Sequence, residues 1–387
     1  MNKFVRIVGY LLFARSLGFL KELTLLESLG TTIELDTLVL VTTVIISVSG
    51  FMGSIADNLI LPSLTRTGDM YAKKHKQIYY SLSILAVLLS YYLLSINGHI
   101  SKEIVVVGVF CSIVMISSGF LGARLMAKGR TDNSKFEFLP ALMIIGFIYL
   151  GSNINALTLL VSFTIGSCIQ FVIYYLVDST SRFSSEYKIS DFTSTKQIFF
   201  IISAQALVLT FPLIDSLFLV NQSEGNLASY GFSTRIVGAI MTLMATGATR
   251  TIVPALSSER SWDLGQHVKK IGLLFVILSV CSVLFQLVPL PIRTGVISEY
   301  LAIQVLQIPF YVINIIMVNI FVARMLYKYV FAVALIGGFT KLIFLLLTYG
   351  TLYNSIIWSG LATVAAPSLC FLIIYMHVKN KGIILNI

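Results

Sequence analysis

The sequence predicts an all-α polytopic membrane protein of about twelve transmembrane helices in two pseudo-symmetric six-helix lobes. Three observations carry this: an apolar, charge-poor composition, basic residues that fall on alternate sides of successive apolar runs, and an internal repeat about half the chain long. Of 387 residues, 57% are hydrophobic and 11% charged, with a mean hydropathy of +0.91. A soluble domain carries roughly 25% charged residues, so a soluble fold is excluded. Twelve helices of about 20 residues need roughly 240 residues and leave only short loops.

The apolar runs fall at 4–29, 36–63, 77–97, 104–127, 137–151, 155–177, 197–221, 228–256, 268–288, 300–324, 326–349 and 355–377. The fifth is short and holds Pro140 near its start. The Met1–Arg6 flank is basic like that of a signal peptide, but Arg15 and Lys21 interrupt the run behind it and no small-residue cleavage site follows. It reads as a retained first helix.

Cytoplasmic loops hold an excess of Lys and Arg. With the N-terminus inside, only Lys102 and Arg293, with Lys21 near that face, fall outside, while Arg15, Arg235 and Lys341 fall within the membrane. The rest of the 27 Lys and Arg lie inside. Both termini are therefore expected in the cytoplasm, and the net charge of +10 is an orientation signal with no nucleic-acid partner implied.

The long polar stretch 178–196 separates an N-terminal lobe, 1–177, from a C-terminal lobe, 197–387. Ile60-Leu61-Pro62-Ser63-Leu64 closes the second run and Ile252-Val253-Pro254-Ala255-Leu256 the eighth, 192 residues later. Ala56 meets Ala248 and Ser54 meets Thr246 at the same offset. Six spans per half give both halves the same orientation, as in parallel-repeat transporters, with the substrate site expected between the lobes.

A charge at the bilayer centre costs roughly 2.5–3.5 kcal/mol on insertion scales, so it faces protein or a wet cavity unless it snorkels. Arg15 stands about 16 Å beyond Phe4 along the first helix, close to mid-membrane. Glu22 lies two turns above on the same face, with Gly18 between. Lys21 and Asp36 stand near the outer surface; Asp215 follows Pro212 in the seventh span, near the repeat equivalent of Glu22, and Arg235 is about two turns into the eighth. Arg15, Lys21, Glu22, Asp36 and Arg235 form the candidate chamber, with Asp215 the candidate for ion coupling. Lys21, Asp36 and Lys341 read equally well as interfacial or snorkelling groups. Asp57 and Arg250, at almost equivalent cytoplasmic positions, are a candidate inner gate pair; two charges facing water separately are an equal reading. Pro212, Pro309 and Pro367 lie within spans and are expected to kink them.

Cys111, Cys168, Cys281 and Cys370 lie singly in apolar runs and His75, His99, His267 and His377 are scattered, so neither a disulfide framework nor a metal site is expected. A phosphate-cradling Gly-rich loop is absent, which argues against direct ATP drive. No cofactor is expected; coupling would be to the membrane potential, H+ or Na+.

Ala14-Arg15-Ser16-Leu17-Gly18-Phe19-Leu20-Lys21-Glu22, then Leu29-Gly30 and Leu35-Asp36, resembles the opening signature of the lipid II flippase (MurJ/MviN) family. Ala228-Ser229-Tyr230-Gly231-Phe232-Ser233-Thr234-Arg235, leading to Ile252–Ser257, resembles its eighth helix and that of related polysaccharide flippases. Ile214-Asp215-Ser216-Leu217 is similar to an element of the wider MOP superfamily, which includes the multidrug and toxin extrusion (MATE) exporters. These matches cover about a quarter of the chain. The resemblance implies a MATE/MOP-like fold, with Arg15, Lys21, Asp36 and Arg235 as cavity residues and the cations on the diphosphate of a lipid-linked sugar. Guanidinium suits that role through bidentate bonds to phosphate oxygens.

Lipid II flippases carry two more helices than the twelve expected here, and a Pro and basic residues in helix 2 that this chain lacks; Leu38 replaces their usual aromatic. The looser match fits Wzx-like flippases better. The expected function is translocation of an undecaprenyl-diphosphate-linked oligosaccharide, a surface polysaccharide repeat unit or peptidoglycan precursor, across the bacterial inner membrane by alternating access. Membrane lipids and polysaccharide biosynthesis enzymes are the implied partners. An ion-coupled multidrug exporter of the same fold is the alternative, with Glu22 and Asp215 carrying the ion; mid-membrane Arg15 and Arg235 disfavour a cationic substrate. A membrane glycan polymerase or ligase is a third class, disfavoured by the short outside loops.

Overall fold

The computed structural model describes residues 3–30, 32–56, 60, 64, 73–96, 100–128, 135–151, 154–180, 195–219, 227–235, 237–238, 241, 295–323, 326–347 and 352–380. These residues form helices and contain no strand: α1 (Lys3–Leu29), α2 (Ile33–Ile55), α3 (Lys73–Ser95), α4 (Lys102–Ala127), α5 (Leu139–Leu150), α6 (Ala156–Thr180), α7 (Thr195–Leu219), α8 (Gly295–Val305), α9 (Gln307–Ala323), α10 (Tyr327–Leu347) and α11 (Leu352–Asn380). A helical run at 227–235 lies between α7 and α8. Eight stretches among them are long and apolar enough to cross a membrane, as the expected all-α polytopic class requires. α1 is long enough but carries Arg15, Lys21 and Glu22. α5 has 12 residues and starts with Pro140 in its first turn, where a missing N–H costs nothing. Most of the eighth expected span, all of the ninth, and the Ile252–Leu256 arm of the repeat lie outside the described residues.

The expected tenth span includes one membrane-length helical stretch, Tyr300–Val318, interrupted at a single residue, Leu306. Pro309 stands in the first turn of α9; within a continuous helix its ring would clash with the Val305 carbonyl and leave it unbonded. α8 ends at Val305 and α9 begins at Gln307. By contrast Pro212 and Pro367 remain inside α7 and α11. The polar stretch after α6 begins later than its composition suggests, since α6 continues through Asp178 to Thr180.

The chain divides into two compact units. The first holds Met1–Ile198 and Pro212–Ala228, the second Phe199–Phe211 and Ser229–Ile387, so α7 passes to the second unit at Phe199 and returns to the first at Pro212. In the first unit α2 is the central helix, packed by α1, α3, α4 and α6. α1 turns into α2 through Gly30, whose φ of 64° is a left-handed cap that a side chain resists. α5 lies against α6 so closely that a Cβ on Gly166 would sit 2.6 Å from Pro140 Cα. In the second unit α11 packs α8, α9 and α10, around a core that includes Ile308, Ile320 and the stacked rings of Phe321 and Phe371.

Apolar side chains also face outward. Ile84, Leu88 and Tyr92 on α3 and Phe339, Leu346 and Leu347 on α10 are exposed, the pattern of surfaces wetted by lipid. Buried hydroxyls are satisfied locally: Thr42, Ser49, Ser112, Thr164 and Ser167 each donate to the carbonyl four residues back. At the C-terminal ends of α4 and α6, Lys128 Nζ lies 2.8 Å from Asp178 Oδ1 and donates to the Asp178 carbonyl at 2.7 Å. Arg124 Nε reaches the same carboxylate at 3.3 Å. The two cations also complement the negative end of α4.

Candidate functional site

The charged residues singled out in the membrane segments fall in both units. In the first, α1 carries Lys21 and Glu22 as an ion pair with Nζ 2.7 Å from Oε1. Both are buried, at 8% and 5% exposure. Lys21 thus does not snorkel to the surface; adjacent positions on a helix diverge, and the long lysine stem bends back to its neighbour. Arg15 lies in α1, and its side chain falls outside the described residues.

Asp36 sits in the first turn of α2, buried at 8%. Its Oδ1 accepts a hydrogen bond from the Ala228 backbone N–H at 2.7 Å. Ala228 lies in the 227–235 helical run, and the carboxylate supplies its backbone N–H with a buried acceptor. Glu34 does the same for α6: its Oε2 accepts from the Ala156 N–H at 2.8 Å, at the first residue of that helix. The first turn of α2 therefore holds the 227–235 run and the start of α6 through two carboxylates. Sequence reasoning passed over Glu34; its signal was an acid two residues before Asp36 in a first turn that needs only one.

Asp215 lies in the part of α7 beyond Pro212, buried at 3%. Next to it Ser216 donates to the Pro212 carbonyl at 2.8 Å. Glu22 and Asp215 are thus both buried carboxylates of the first unit. In the second unit Arg235 is half-buried at the end of the 227–235 run, and its neighbour Thr234 accepts a 2.8 Å hydrogen bond from Gln304 Nε2. Lys341, for which a snorkelling position was one expectation, is buried at 2% in α10. Its Nζ lies 5.7 Å from the centre of the Phe211 ring, one turn from Gly337, which packs against Pro367. Asp57 and Arg250, the gate candidates, lie outside the described residues.

The sequence matches no protein-family model and no curated protein. The structure does have relatives among solved ones. It is similar to the lipid II flippase MurJ in an inward closed conformation, with a TM-score of 0.75 and 15% identity over 98% of this chain and 89% of that one. This chain has the MOP-transporter fold. A MOP superfamily transporter from Pyrococcus furiosus, described as having a binding pocket of reversed polarity, shares it at a TM-score of 0.56, 15% identity and coverage of 98% and 95%. A MATE transporter in complex with Br-NRF matches at 0.55, with 14% identity over 97% of this chain and 95% of that one. At such identities the common property is the fold, and the expected MATE/MOP-like architecture is the one observed.

Proposed function

We propose that this protein is a transporter, not an enzyme: a flippase that carries an undecaprenyl-diphosphate-linked oligosaccharide from the inner to the outer leaflet of the bacterial inner membrane by alternating access. The observation that carries the reading is the set of charges held within helices of a MOP fold, with Lys21, Glu22 and Asp36 in the first unit and Arg235 and Lys341 in the second. A neutral or cationic drug gives no reason for intramembrane guanidinium groups, which are costly there; a diphosphate does, through bidentate, charge-assisted hydrogen bonds. The similarity to a lipid II flippase supports the same class of cargo.

In this reading Arg15, Lys21 and Arg235 hold the diphosphate, Glu22 tunes Lys21 through their ion pair, and the lipid tail stays in the bilayer. Asp36 braces the chamber through its bond to Ala228, in the helical run that bears Arg235. The two lobes are 1–177 and 197–387, with 178–196 joining them, both termini are cytoplasmic, and surface-polysaccharide or peptidoglycan-precursor enzymes are the partners. Coupling is to the membrane potential, H+ or Na+, with Asp215 as the ion-coupling residue.

The test is flipping of a short-chain fluorescent prenyl-diphosphate glycan in reconstituted vesicles. Arg15→Ala and Arg235→Ala are expected to abolish flipping with normal membrane insertion; unimpaired flipping in both removes the site. The buried pair of carboxylates Glu22 and Asp215 favours the second reading, an ion-coupled exporter, and the fold is shared with a MATE transporter bound to R6G. Export of an organic cation driven by a proton or sodium gradient, with no glycan-lipid flipping, would establish it.

A further inference from the structure

Within the second unit, Gln304 of α8 is buried at 3% exposure and only half of its amide is bonded. Its Nε2 donates to Thr234 Oγ1 at 2.8 Å. The Thr234 hydroxyl gives its one proton to the Tyr230 carbonyl, also at 2.8 Å, so toward Gln304 it acts as an acceptor. That fixes which way the amide faces, with Nε2 on Thr234 and Oε1 turned away. Among the described residues none donates to that oxygen, which is itself buried. One turn earlier on both helices, the Tyr300 and Tyr230 rings meet edge-on at 5.8 Å. α8 and the 227–235 run therefore lie side by side in register, and Arg235 follows Thr234 directly.

A buried acceptor left without a donor costs stability, and an apolar side chain of similar size, Leu or Met, would avoid that cost. Positions that break such a rule cluster at functional sites. The residue beside this one, Arg235, is placed on the diphosphate in the proposed function. The parts of a lipid-linked sugar differ in what they offer the Gln304 oxygen. An ionised diphosphate presents acceptors, which repel it, and a prenyl tail presents no polar group. The sugar alone carries hydroxyl donors.

We propose that Gln304 is a glycan-specificity residue: its Oε1 accepts a hydroxyl hydrogen of the sugar next to the diphosphate, while Arg235 holds the phosphate oxygens. Nε2 stays on Thr234 and keeps the amide aimed. The oxygen is closed off in this structure, so the contact forms when the helices beside it part during alternating access. The inference rests on the cargo class of the proposed function and adds which part of that cargo is recognised, and by which atom.

Binding to the full-length protein in lipid nanodiscs, free of sugar-headed detergent, tests this with two fluorescent short-chain prenyl diphosphates, one bearing a hexose and one bearing no sugar. The native protein is expected to prefer the hexose-bearing probe. Gln304→Leu should weaken that probe about tenfold, the scale of one buried hydrogen bond lost, and shift the sugar-free probe by less than about twofold. Gln304→Met, an unbranched apolar chain, decides in its place if Gln304→Leu fails to insert. Equal weakening of both probes would make Gln304 a brace for Arg235 and overturn the proposal. So would equal native affinity for the two probes, or a native preference for the hexose that survives both variants; these outcomes leave the diphosphate cargo standing. A native protein that binds neither probe overturns the cargo reading and this inference with it.

Discussion

The Asp36 carboxylate accepts the Ala228 backbone N–H at 2.7 Å across 192 residues of sequence, the same offset that relates the Pro62 and Pro254 motifs. Two positions that the repeat makes equivalent are tied directly to each other. The bond is buried, so water cannot replace it when the carboxylate is removed.

Asp36→Ala should therefore destabilise the protein by roughly 1–3 kcal/mol, the range for leaving a buried donor unsatisfied. Asp36→Asn keeps a side-chain oxygen in place and should lose less. Thermal unfolding in detergent, followed by tyrosine and tryptophan fluorescence, measures both. If Asp36 serves the cargo alone, both variants will unfold like the native chain and differ only in flipping.

Glu34→Ala removes the equivalent acceptor at Ala156. Glu34 is exposed, and water can solvate the freed N–H, so its loss should be smaller than that of Asp36→Ala. Comparison of the two unfolding midpoints in one detergent checks the order.

Asp178→Asn leaves Arg124 and Lys128 facing each other without their shared carboxylate. A loss of about 1–3 kcal/mol is expected, as for a hydrogen-bonded charge left partly buried. Reversal of the loss by adding Lys128→Gln in the same chain would locate its cause in the stranded cation.

Lys341 and Phe211 form a cation–π contact in a buried place. A double-mutant cycle of Lys341→Met and Phe211→Leu should return a coupling of roughly 0.5–2 kcal/mol. Zero coupling would mean that the ring is only a neighbour of the ammonium group.

Gly166→Leu has no room, because even a Cβ would meet Pro140 Cα at 2.6 Å. Backbone has to move, so α5 and α6 should separate and the yield of monodisperse protein should fall sharply on size-exclusion chromatography. Gly18→Ala, where a Cβ meets nothing within 4 Å, is the control and should behave as the native chain.

Much of the architecture was legible in the chain because the bilayer imposes a one-dimensional rule. Apolar length marks a span, and eight stretches among the described residues are long and apolar enough to cross a membrane. Local chemistry was legible too: Gly30 ends α1 and Pro140 opens α5. Pro309, expected to kink a span, stands three residues after the single-residue interruption at Leu306 within the stretch Tyr300–Val318.

The fate of each intramembrane charge was decided by tertiary structure. From the sequence, Lys21, Asp36 and Lys341 were equally surface groups or chamber groups. Folding buries all three and gives Lys21 a carboxylate, Asp36 a backbone N–H and Lys341 an aromatic ring. Sequence alone determined the class of the protein, its orientation signal and which charges are costly, since these depend on composition and order along the chain. What offsets the cost of each depends on partners that stand up to 192 residues away along the chain, and only the packed helices bring those partners within bonding distance.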